Sequence, residues 1–277
     1  NITDIDDKII KRALENKEPI AVLTQRFIDA MHEDAKILGL LPPDHEPRAT
    51  QYIAQMQGMI GRLIDQQMAY QAEDGDVNYA VRQFPSYGKL SGKSIDELNA
   101  GERVAIGSGK RDPLDFVLWK SRKDEDGENY WASPWGDGRP GWHLECSAMI
   151  KEYLGNDFDL HSGGVDLVFP HHENEIAQSR CSCGGNFAAH WFHITHLMVD
   201  GGKMSKSLGN LYTIDDLKAK GHTAMEVRYV LIGGHYRKQL NFTLDSLSAA
   251  HEALAKIAKG ARSLAARAGN ETTLSSV

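Results

Sequence analysis

The sequence predicts an α/β protein built from several segments, and three patterns along the chain indicate this. Apolar residues recur at helical spacings of three and four over residues 7–38, with a break at residues 16–18, and again over about 49–68. Short apolar or alternating runs at 77–81 and 116–120 are typical of strands. From Leu247 onward the apolar positions step strictly by three and four, which predicts a helix that packs on partner helices.

Length and composition exclude several classes of protein. The chain has 277 residues, enough for about two domains, with 41% hydrophobic and 25% charged residues. This mixture argues against a disordered or fibrous protein, and no apolar run approaches the ~20 residues that a membrane helix needs. The net charge of −7 argues against a basic coat protein for nucleic acid, and three cysteines are too few for a secreted disulfide framework. We therefore expect a soluble cytoplasmic protein.

A cysteine, a histidine and a glutamate are candidate ligands of a zinc ion. His171 and Glu175 are four residues apart, so both side chains project from one face if a helix begins near Pro170. Together with the thiolate of Cys146 they would supply three of the four ligands of a tetrahedral site. The alternative is a capped helix N-terminus beside an unrelated buried cysteine.

Two further clusters are weaker candidates. Cys181 and Cys183 compete as metal ligands, but cysteines separated by one residue fit a tetrahedral site poorly, so we expect them in a surface turn. Gly163, Gly164 and Asp166 follow a strand-like run. Glycines allow a nucleotide to approach the backbone and a carboxylate can bind ribose hydroxyls, although an ordinary turn explains the same residues.

The segment 201–210 predicts a mobile, cationic loop. It combines Lys203 and Lys206 with two serines and flanking glycines. Ammonium groups can neutralise the charge that builds on a leaving pyrophosphate, while hydroxyl and amide groups orient it. The spacing does not match a Walker loop, which excludes a typical P-loop ATPase. A solvated basic loop is the alternative.

Together these motifs resemble the cysteinyl-tRNA synthetases, a family of class I aminoacyl-tRNA synthetases. The run KMSKS at 203–207 matches the signature loop of class I. Four further runs match this family in order and spacing, and the resemblance covers almost the whole chain: NITDIDDK at 1–8, GRPGWHLEC at 138–146, FPHHENEIAQS at 169–179 and GHYR at 234–237.

The resemblance implies a Rossmann-like class I catalytic domain with an inserted module, followed by helical regions. The implied segments are part of the first Rossmann half at 1–47, an inserted α+β connective module at 48–134 and the second Rossmann half with the zinc site at 135–183. A stem-contact region with the KMSKS loop at 184–246 and the start of a helical bundle at 247–277 follow. The family's first strand, with a His-x-Gly-His loop and an early zinc-ligand cysteine, would precede Asn1, and its anticodon-binding domain would follow Val277. We therefore expect an internal fragment that is inactive by itself.

The resemblance also implies a reaction and its participants. ATP, accompanied by Mg²⁺, would activate L-cysteine to cysteinyl-adenylate, and the cysteinyl group would pass to tRNA(Cys). We expect a monomer without membrane association. The alternatives are a cysteine ligase of mycothiol biosynthesis and a non-catalytic zinc- or RNA-binding paralogue.

The family's functional residues carry over onto matching positions of this chain. Zn²⁺ ligands of the family correspond to Cys146, His171 and Glu175, and its ATP-contacting lysine corresponds to Lys206, with Lys203 in support. The positions where the family contacts cysteine correspond to Thr3 and Trp142, and those near its adenosine site to Gly163, Gly164 and Asp166.

Overall fold

The computed structural model describes residues 1–94, 109–205 and 208–267. Its contacts divide the chain into two compact units. The larger unit comprises Asn1–Ile28 and Pro43–His193, and the smaller unit comprises Asp29–Pro42 and Ile194–Val277. Among the helices described, none combines the length and the apolar character that crossing a bilayer requires.

The chain begins with two helices, α1 (Asp7–Asn16) and α2 (Ile20–Ile37). Asp6 caps α1, since its side chain accepts the backbone N–H of Lys8 at 2.8 Å. The helix ends at Lys17, which adopts a left-handed conformation with φ of 58°. The predicted interruption of the helical pattern at residues 16–18 is therefore confirmed.

A helix and an antiparallel sheet form the centre of the larger unit. Helix α3 (Ile53–Asp65) precedes strands β1 (Ala69–Gln71), β2 (Val77–Tyr79), β3 (Phe116–Ser121) and β4 (Gly138–Pro140), which pair in the order β1-β2-β3-β4. The strands predicted near residues 77 and 116 are confirmed. Apolar residues from both elements are fully buried against each other, among them Met56, Ile60, Leu63, Leu118 and Trp119.

Four further elements carry the candidate site: α4 (Trp142–Leu154), β5 (Asp157–Gly164), α5 (Glu173–Cys183) and β6 (Phe187–Ile194). Strands β5 and β6 pair with each other, and α3, α4 and α5 pack together. The buried core joins Ile10, Leu63 and Leu144, which come from three of the segments implied by the resemblance. The boundaries of those segments remain predictions.

The structure corrects two expectations in this region. Gly163 and Gly164 are the last residues of β5 rather than part of a turn. Cys181 and Cys183 lie in the last turn of α5 rather than in a surface turn. The physical reason is that Cys181 packs against the core, where its Sγ accepts a hydrogen bond from the Tyr79 hydroxyl at 3.3 Å.

The smaller unit contains a short sheet and three helices. Strands β7 (Met198–Val199), β8 (Gly202–Lys203) and β9 (Asn241–Phe242) pair in the order β8-β7-β9, and the helices are α6 (Ile214–Ala219), α7 (Ala224–Gly233) and α8 (Leu244–Arg267). The helix predicted from Leu247 is confirmed as far as Arg267, and the pattern residue Ala268 lies outside the described residues. Leu247 and Ala250 are buried, whereas Leu264 is exposed.

Gly141 joins β4 to α4 at a point where the backbone allows no side chain. A Cβ at this position would lie 2.1 Å from the carbonyl oxygen of Val117. We expect Gly141→Ala to lower the free energy of unfolding by about 1–3 kcal/mol, because the strand must move away. Gly61→Ala in α3 is the control: a Cβ there meets nothing within 4 Å, and alanine should stabilise that helix by up to ~1 kcal/mol. Urea unfolding measures both, and equal midpoints for the two variants would contradict the close approach at Gly141.

A buried arginine ties α1 to the sheet. Arg139 in β4 donates from Nε to Asp126 Oδ1 at 2.9 Å, and its guanidinium group also contacts Asp7 at the start of α1. Lys120 Nζ lies 2.6 Å from Asp7 Oδ2. Arg139 and Asp126 are both buried, whereas the Asp7 side chain is 55% exposed. The network therefore joins the buried ion pair Arg139–Asp126 to partly solvated ion pairs of Asp7.

The Asp7 carboxyl should make the stability depend on pH at the acid end. Burial alone would raise the pKa of Asp7, but the hydrogen bond from Lys120 and the charge of Arg139 lower the pKa below 3.8. Its stabilising contribution is therefore complete above about pH 4 and is lost as the pH falls through the lowered pKa. We expect Asp7→Asn to unfold more easily than the parent at pH 7, with the difference shrinking as the pH falls below about 4 and the parent's Asp7 takes up its proton. Thermal unfolding across this range measures the effect, and Asp159→Asn, at an exposed position, should show no such convergence.

Candidate metal centre

Helix α4 places Cys146 beside the core of the larger unit. The helix begins one residue after Gly141, which directly follows β4, so its first turns lie against the sheet. Leu144, Glu145 and Ser147 are buried around Cys146, and the cysteine side chain itself is half-buried and not in a disulfide. A thiol in this position is screened from solvent while its sulfur remains available.

His171 and Glu175 approach Cys146 from the start of α5. Their spacing of four residues puts both side chains on one side of the chain, and His171 Nε2 lies 3.0 Å from Glu175 Oε1. One potential ligand atom from each of Cys146, His171 and Glu175 lies within 4.8 Å of the other two. The structure therefore brings together the three residues that the sequence analysis names as zinc ligands.

The geometry around Glu175 fits a metal ion. Glu175 is completely buried, and within the described part of the chain its Oε1 has no hydrogen-bond partner, although His171 Nε2 is only 3.0 Å away. A buried carboxylate oxygen without a donor is costly. Two ligand atoms bound at 2.0–2.1 Å to a tetrahedral zinc ion lie roughly 3.3 Å apart. The 3.0 Å contact between His171 and Glu175 is therefore close to the separation expected of two ligands of one ion. Sulfur, nitrogen and oxygen are donor atoms that zinc accepts.

A second histidine orients His171. His143 Nδ1 lies 2.8 Å from His171 Nδ1. Burial lowers the pKa of His143 to about 3, so that ring is neutral and its Nδ1 can accept a hydrogen bond. His171 then donates from Nδ1 and presents the lone pair of Nε2 toward Glu175. This arrangement matches the outer hydrogen bonds that orient metal-binding histidines.

The charges of the cluster also suit a divalent cation. Burial alone would raise the pKa of the Glu175 carboxyl, but the hydrogen bond from His161 and the proximity of His171 lower its pKa to about 2, so the group is ionised. Burial raises the pKa of the Cys146 thiol, and the nearby charges of Glu175 and Glu145 raise it further. A bound cation replaces the thiol proton and offsets the cost of two buried anions.

A second group of possible ligands shares Glu175 with the first. His161, His172 and Glu175 also place one ligand atom each within 4.8 Å of one another. In this group His161 Nε2 is hydrogen-bonded to Glu175 Oε2 at 2.6 Å. His172 Nδ1 is hydrogen-bonded to Nε2 of His193, a residue outside the group, at 2.8 Å. The first group contains the sulfur and the unsatisfied oxygen, so it is the better metal site.

The two residues expected to contact a substrate lie next to this cluster. The Trp142 ring packs on the His171 ring with centroids 4.4 Å apart, and 45% of Trp142 is exposed. Thr3 Oγ1 donates to Glu145 Oε2 at 2.9 Å, beside Cys146 in α4. Burial raises the pKa of Glu145 to about 8, aided by the charges of Asp4 and Asp6.

The residues expected near adenosine surround the end of β5. A Cβ at Gly163 would lie 2.8 Å from His172 Cε1, so the strand backbone approaches the histidine cluster closely. Gly164 is half-buried and Asp166 is exposed just beyond it. The structure therefore places these residues beside the second ligand group.

The expected ATP-binding lysines belong to the smaller unit. Lys203 is exposed in β8, so the predicted loop at 201–210 begins as a strand, and Lys206 lies outside the described residues. Asn210 holds the segment together: its Oδ1 accepts the N–H of Ser205 at 2.8 Å, and its Nδ2 donates to the Lys203 carbonyl at 3.1 Å. Sequence analysis did not single out this asparagine.

The histidines around the metal ligands were also missed. His143, His172 and His193 were not assigned a role, although seven of the twelve histidines fall between residues 143 and 196. That density was the available signal. Spacing along the chain does not show which rings share a hydrogen bond, so their pairing required coordinates.

Comparisons with known proteins agree with this picture. Residues 1–252 match the family model described as tRNA synthetases class I (C) catalytic domain. Over 270 residues the chain is 59% identical to a cysteine–tRNA ligase of Ralstonia pickettii, covering 97% of this chain and 58% of that protein. Over 258 residues it is 61% identical to a cysteine–tRNA ligase of Ralstonia nicotianae, covering 93% and 55% respectively. The chain thus spans little more than half the length of these relatives.

A solved structure shows the same fold. Mycobacterium tuberculosis methionyl-tRNA synthetase in complex with methionyl-adenylate has a TM-score of 0.61 and 15% identity, over 87% of this chain and 57% of that one. The expected α/β class I fold is confirmed by this likeness and by the family match. The chain belongs to the family of class I tRNA synthetase (C) catalytic domains.

Proposed function

We propose that this chain supplies the catalytic region of a cysteine–tRNA ligase. In this reaction the carboxylate of L-cysteine attacks the α-phosphate of Mg-ATP, which gives cysteinyl-adenylate and releases pyrophosphate. A terminal ribose hydroxyl of tRNA(Cys) then accepts the cysteinyl group. The observation that carries the proposal is the convergence of Cys146, His171 and Glu175 within a class I catalytic domain. The names of the similar proteins support the same reaction.

The metal site answers the problem of selecting cysteine. Serine is nearly isosteric with cysteine, and a pocket that senses shape gains only about 1–3 kcal/mol per small group. Bound by Cys146, His171 and Glu175, a zinc ion would supply a soft Lewis acid that binds a substrate thiolate much more strongly than a hydroxyl. Cys146 lies on α4, Glu175 lies on α5 and His171 lies in the helical turn Val168–His172 that leads into α5. Helices α4 and α5 pack directly on each other.

The neighbouring residues have roles in binding the amino acid. The partly exposed Trp142 ring lies against His171 and would form an apolar wall beside the substrate side chain. The Thr3 hydroxyl, oriented by Glu145, would accept a hydrogen bond from the substrate ammonium group. Such fixed contacts position the carboxylate for attack without any protein nucleophile.

The remaining residues would act on ATP. Lys203 and Lys206 would neutralise charge on the phosphate groups as pyrophosphate leaves, since preorganised cations stabilise developing negative charge. Gly163 and Gly164 would allow the adenosine close to the backbone, and Asp166 would accept hydrogen bonds from ribose hydroxyls. Gly163 lies directly beside the histidine cluster, since a Cβ at this position would clash with His172.

A chimera tests the proposal. This chain replaces the aligned 270 residues of the R. pickettii relative, and exchange of pyrophosphate into ATP is measured with cysteine and with serine. We expect exchange with cysteine, almost none with serine, and charging of tRNA(Cys). Exchange without charging would indicate a ligase that transfers cysteine to another acceptor, such as the amino-sugar of mycothiol biosynthesis. The absence of exchange would indicate a non-catalytic paralogue, and either result would refute the proposal.

A further inference from the structure

Glu173 lies between two proposed metal ligands but faces the opposite side of α5. Residues two apart in an α-helix project in nearly opposite directions, so Glu173 points away from Glu175. His171 lies in the helical turn Val168–His172 just before α5, on the side of Glu175. Its side chain is 1% exposed. The carboxylate accepts the backbone N–H of Gly88 at 3.1 Å and that of Ser91 at 2.8 Å. A buried anion is thus held by a loop from a distant part of the sequence.

The same loop contacts the residues on either side of Glu173. The Tyr87 hydroxyl donates to Asn174 Oδ1 at 2.5 Å, and the Tyr87 ring meets the Phe169 ring edge-on with centroids 6.3 Å apart. The ammonium group of Lys93 lies 5.0 Å from the centre of the Phe169 ring. Residues 87–93, which we name the clamp loop, therefore contact the segment 169–174 through several side chains and backbone amides.

The clamp loop is shaped for this contact. Gly88 has φ of 91°, and a Cβ there would lie 2.0 Å from the carbonyl oxygen of Lys93. The Lys93 N–H in turn donates to the Gly88 carbonyl at 3.0 Å, which closes the loop on itself. This tight turn leaves the amides of Gly88 and Ser91 free to bind the carboxylate.

We propose that the clamp loop is a positioning device for the metal centre: by holding Glu173 and Asn174, it sets the rotation of α5 that aims His171 and Glu175 at Cys146. The inference rests on the metal site of the proposed function. Side-chain ends lie about 5–6 Å from a helix axis, so a rotation of roughly 20° would move them by about 2 Å. A metal site tolerates only about 0.2 Å in its ligand distances, so an unclamped α5 would hold the ion poorly.

The test compares Glu173→Gln and Tyr87→Phe with matched substitutions elsewhere. Glu173→Gln keeps the size of the side chain but turns an NH₂ group toward one of the two loop amides. Tyr87→Phe removes only the hydroxyl that binds Asn174. Glu152→Gln, exposed in α4, and Tyr130→Phe, outside the clamp loop, are the controls. Each purified chain is titrated with Zn²⁺ against a chelating dye and with Co²⁺, whose absorption bands report the geometry of coordination.

We expect Glu173→Gln to weaken Zn²⁺ binding by about 10–100-fold and to change the energy and intensity of the Co²⁺ bands. Tyr87→Phe should act in the same direction with a smaller effect, and it keeps the test decisive if Glu173→Gln does not fold. In the metal-free protein, hydrogen exchange of the amides in α5 should accelerate, with no change in α1. The controls should match the parent chain in every measurement.

Several results would overturn the proposal. One is a Co²⁺ spectrum and Zn²⁺ affinity for both variants equal to those of the controls. Another is a lower melting temperature with unchanged metal binding, which would show that the clamp loop contributes to stability alone. If exchange in α5 responds to Glu173→Gln but neither the parent chain nor the chimera binds either ion, the clamp loop holds α5 without serving a metal centre, and the proposal fails together with the metal site of the proposed function.

Discussion

Replacing Cys146 with serine should weaken Zn²⁺ binding to this chain by more than about 100-fold, because a hydroxyl is a far poorer ligand for zinc than a thiolate. The side chain keeps its size and position in α4, so the helix and its packing should be retained. A thiol gives up its proton to become an anionic ligand when zinc binds, whereas serine leaves Glu175 as the one anionic ligand of the three. Titration against a chelating dye measures the loss of affinity directly.

The same substitution should separate the two substrates in the chimera. KM for cysteine should rise strongly, whereas KM for ATP should change little, since the ligand cluster would bind the amino acid rather than the nucleotide. Cys183→Ser is the matched control: it removes another half-buried thiol, at the end of α5, and should leave both values unchanged. Equal losses of cysteine and ATP binding in Cys146→Ser would count against the zinc site.

The second large effect is on stability: Arg139→Met should reduce the free energy of unfolding of the larger unit by about 3–5 kcal/mol. The reason is that Asp126 is 3% exposed and would lose the guanidinium group that lies 2.9 Å away. A buried carboxylate that loses its partner costs much more than a surface pair contributes. Thermal unfolding should show a midpoint lower by roughly 6–20 °C.

A double substitution and a surface pair show whether this explanation is correct. Arg139→Met combined with Asp126→Leu removes both charges, and we expect it to recover most of the lost stability. Arg26→Met removes the guanidinium from a solvent-exposed pair with Glu18, whose atoms are 2.9 Å apart, and should lower the unfolding midpoint far less than Arg139→Met. If the double variant is as unstable as Arg139→Met alone, the buried charge is not the cause.

Local patterns predicted the helices and strands that have strong periodicity. The helix break after Asn16, the strands near residues 77 and 116 and the long helix from Leu247 are confirmed because spacing, caps and turn residues act between neighbours in the sequence. The same patterns failed at Cys181 and Gly163. At both positions contacts with distant residues, Tyr79 and His172, decide the conformation.

The residue types of the site could be predicted from the sequence, but the hydrogen bonds that connect them could not. The spacing of His171 and Glu175 predicts that they share a face, and the residue types predict zinc. No spacing indicates that His143 is hydrogen-bonded to Nδ1 of His171, or that His161 binds the second oxygen of Glu175. Nor does any spacing indicate that Glu173 accepts hydrogen bonds from backbone amides 82 and 85 residues earlier in the chain. Such contacts arise only when separate elements pack together.

The sequence by itself determined the family, the secondary structure with clear periodicity, and the residue types available to hold a metal ion, because these depend on identity and on near neighbours. The tertiary structure alone decided that Cys146 lies beside His171, 25 residues later in the chain, which nitrogen of that ring faces Glu175, and which loop sets the direction of α5. Coordination depends on distances of a few ångströms between atoms on different elements, and only the packing of α4, α5 and the sheet determines those distances.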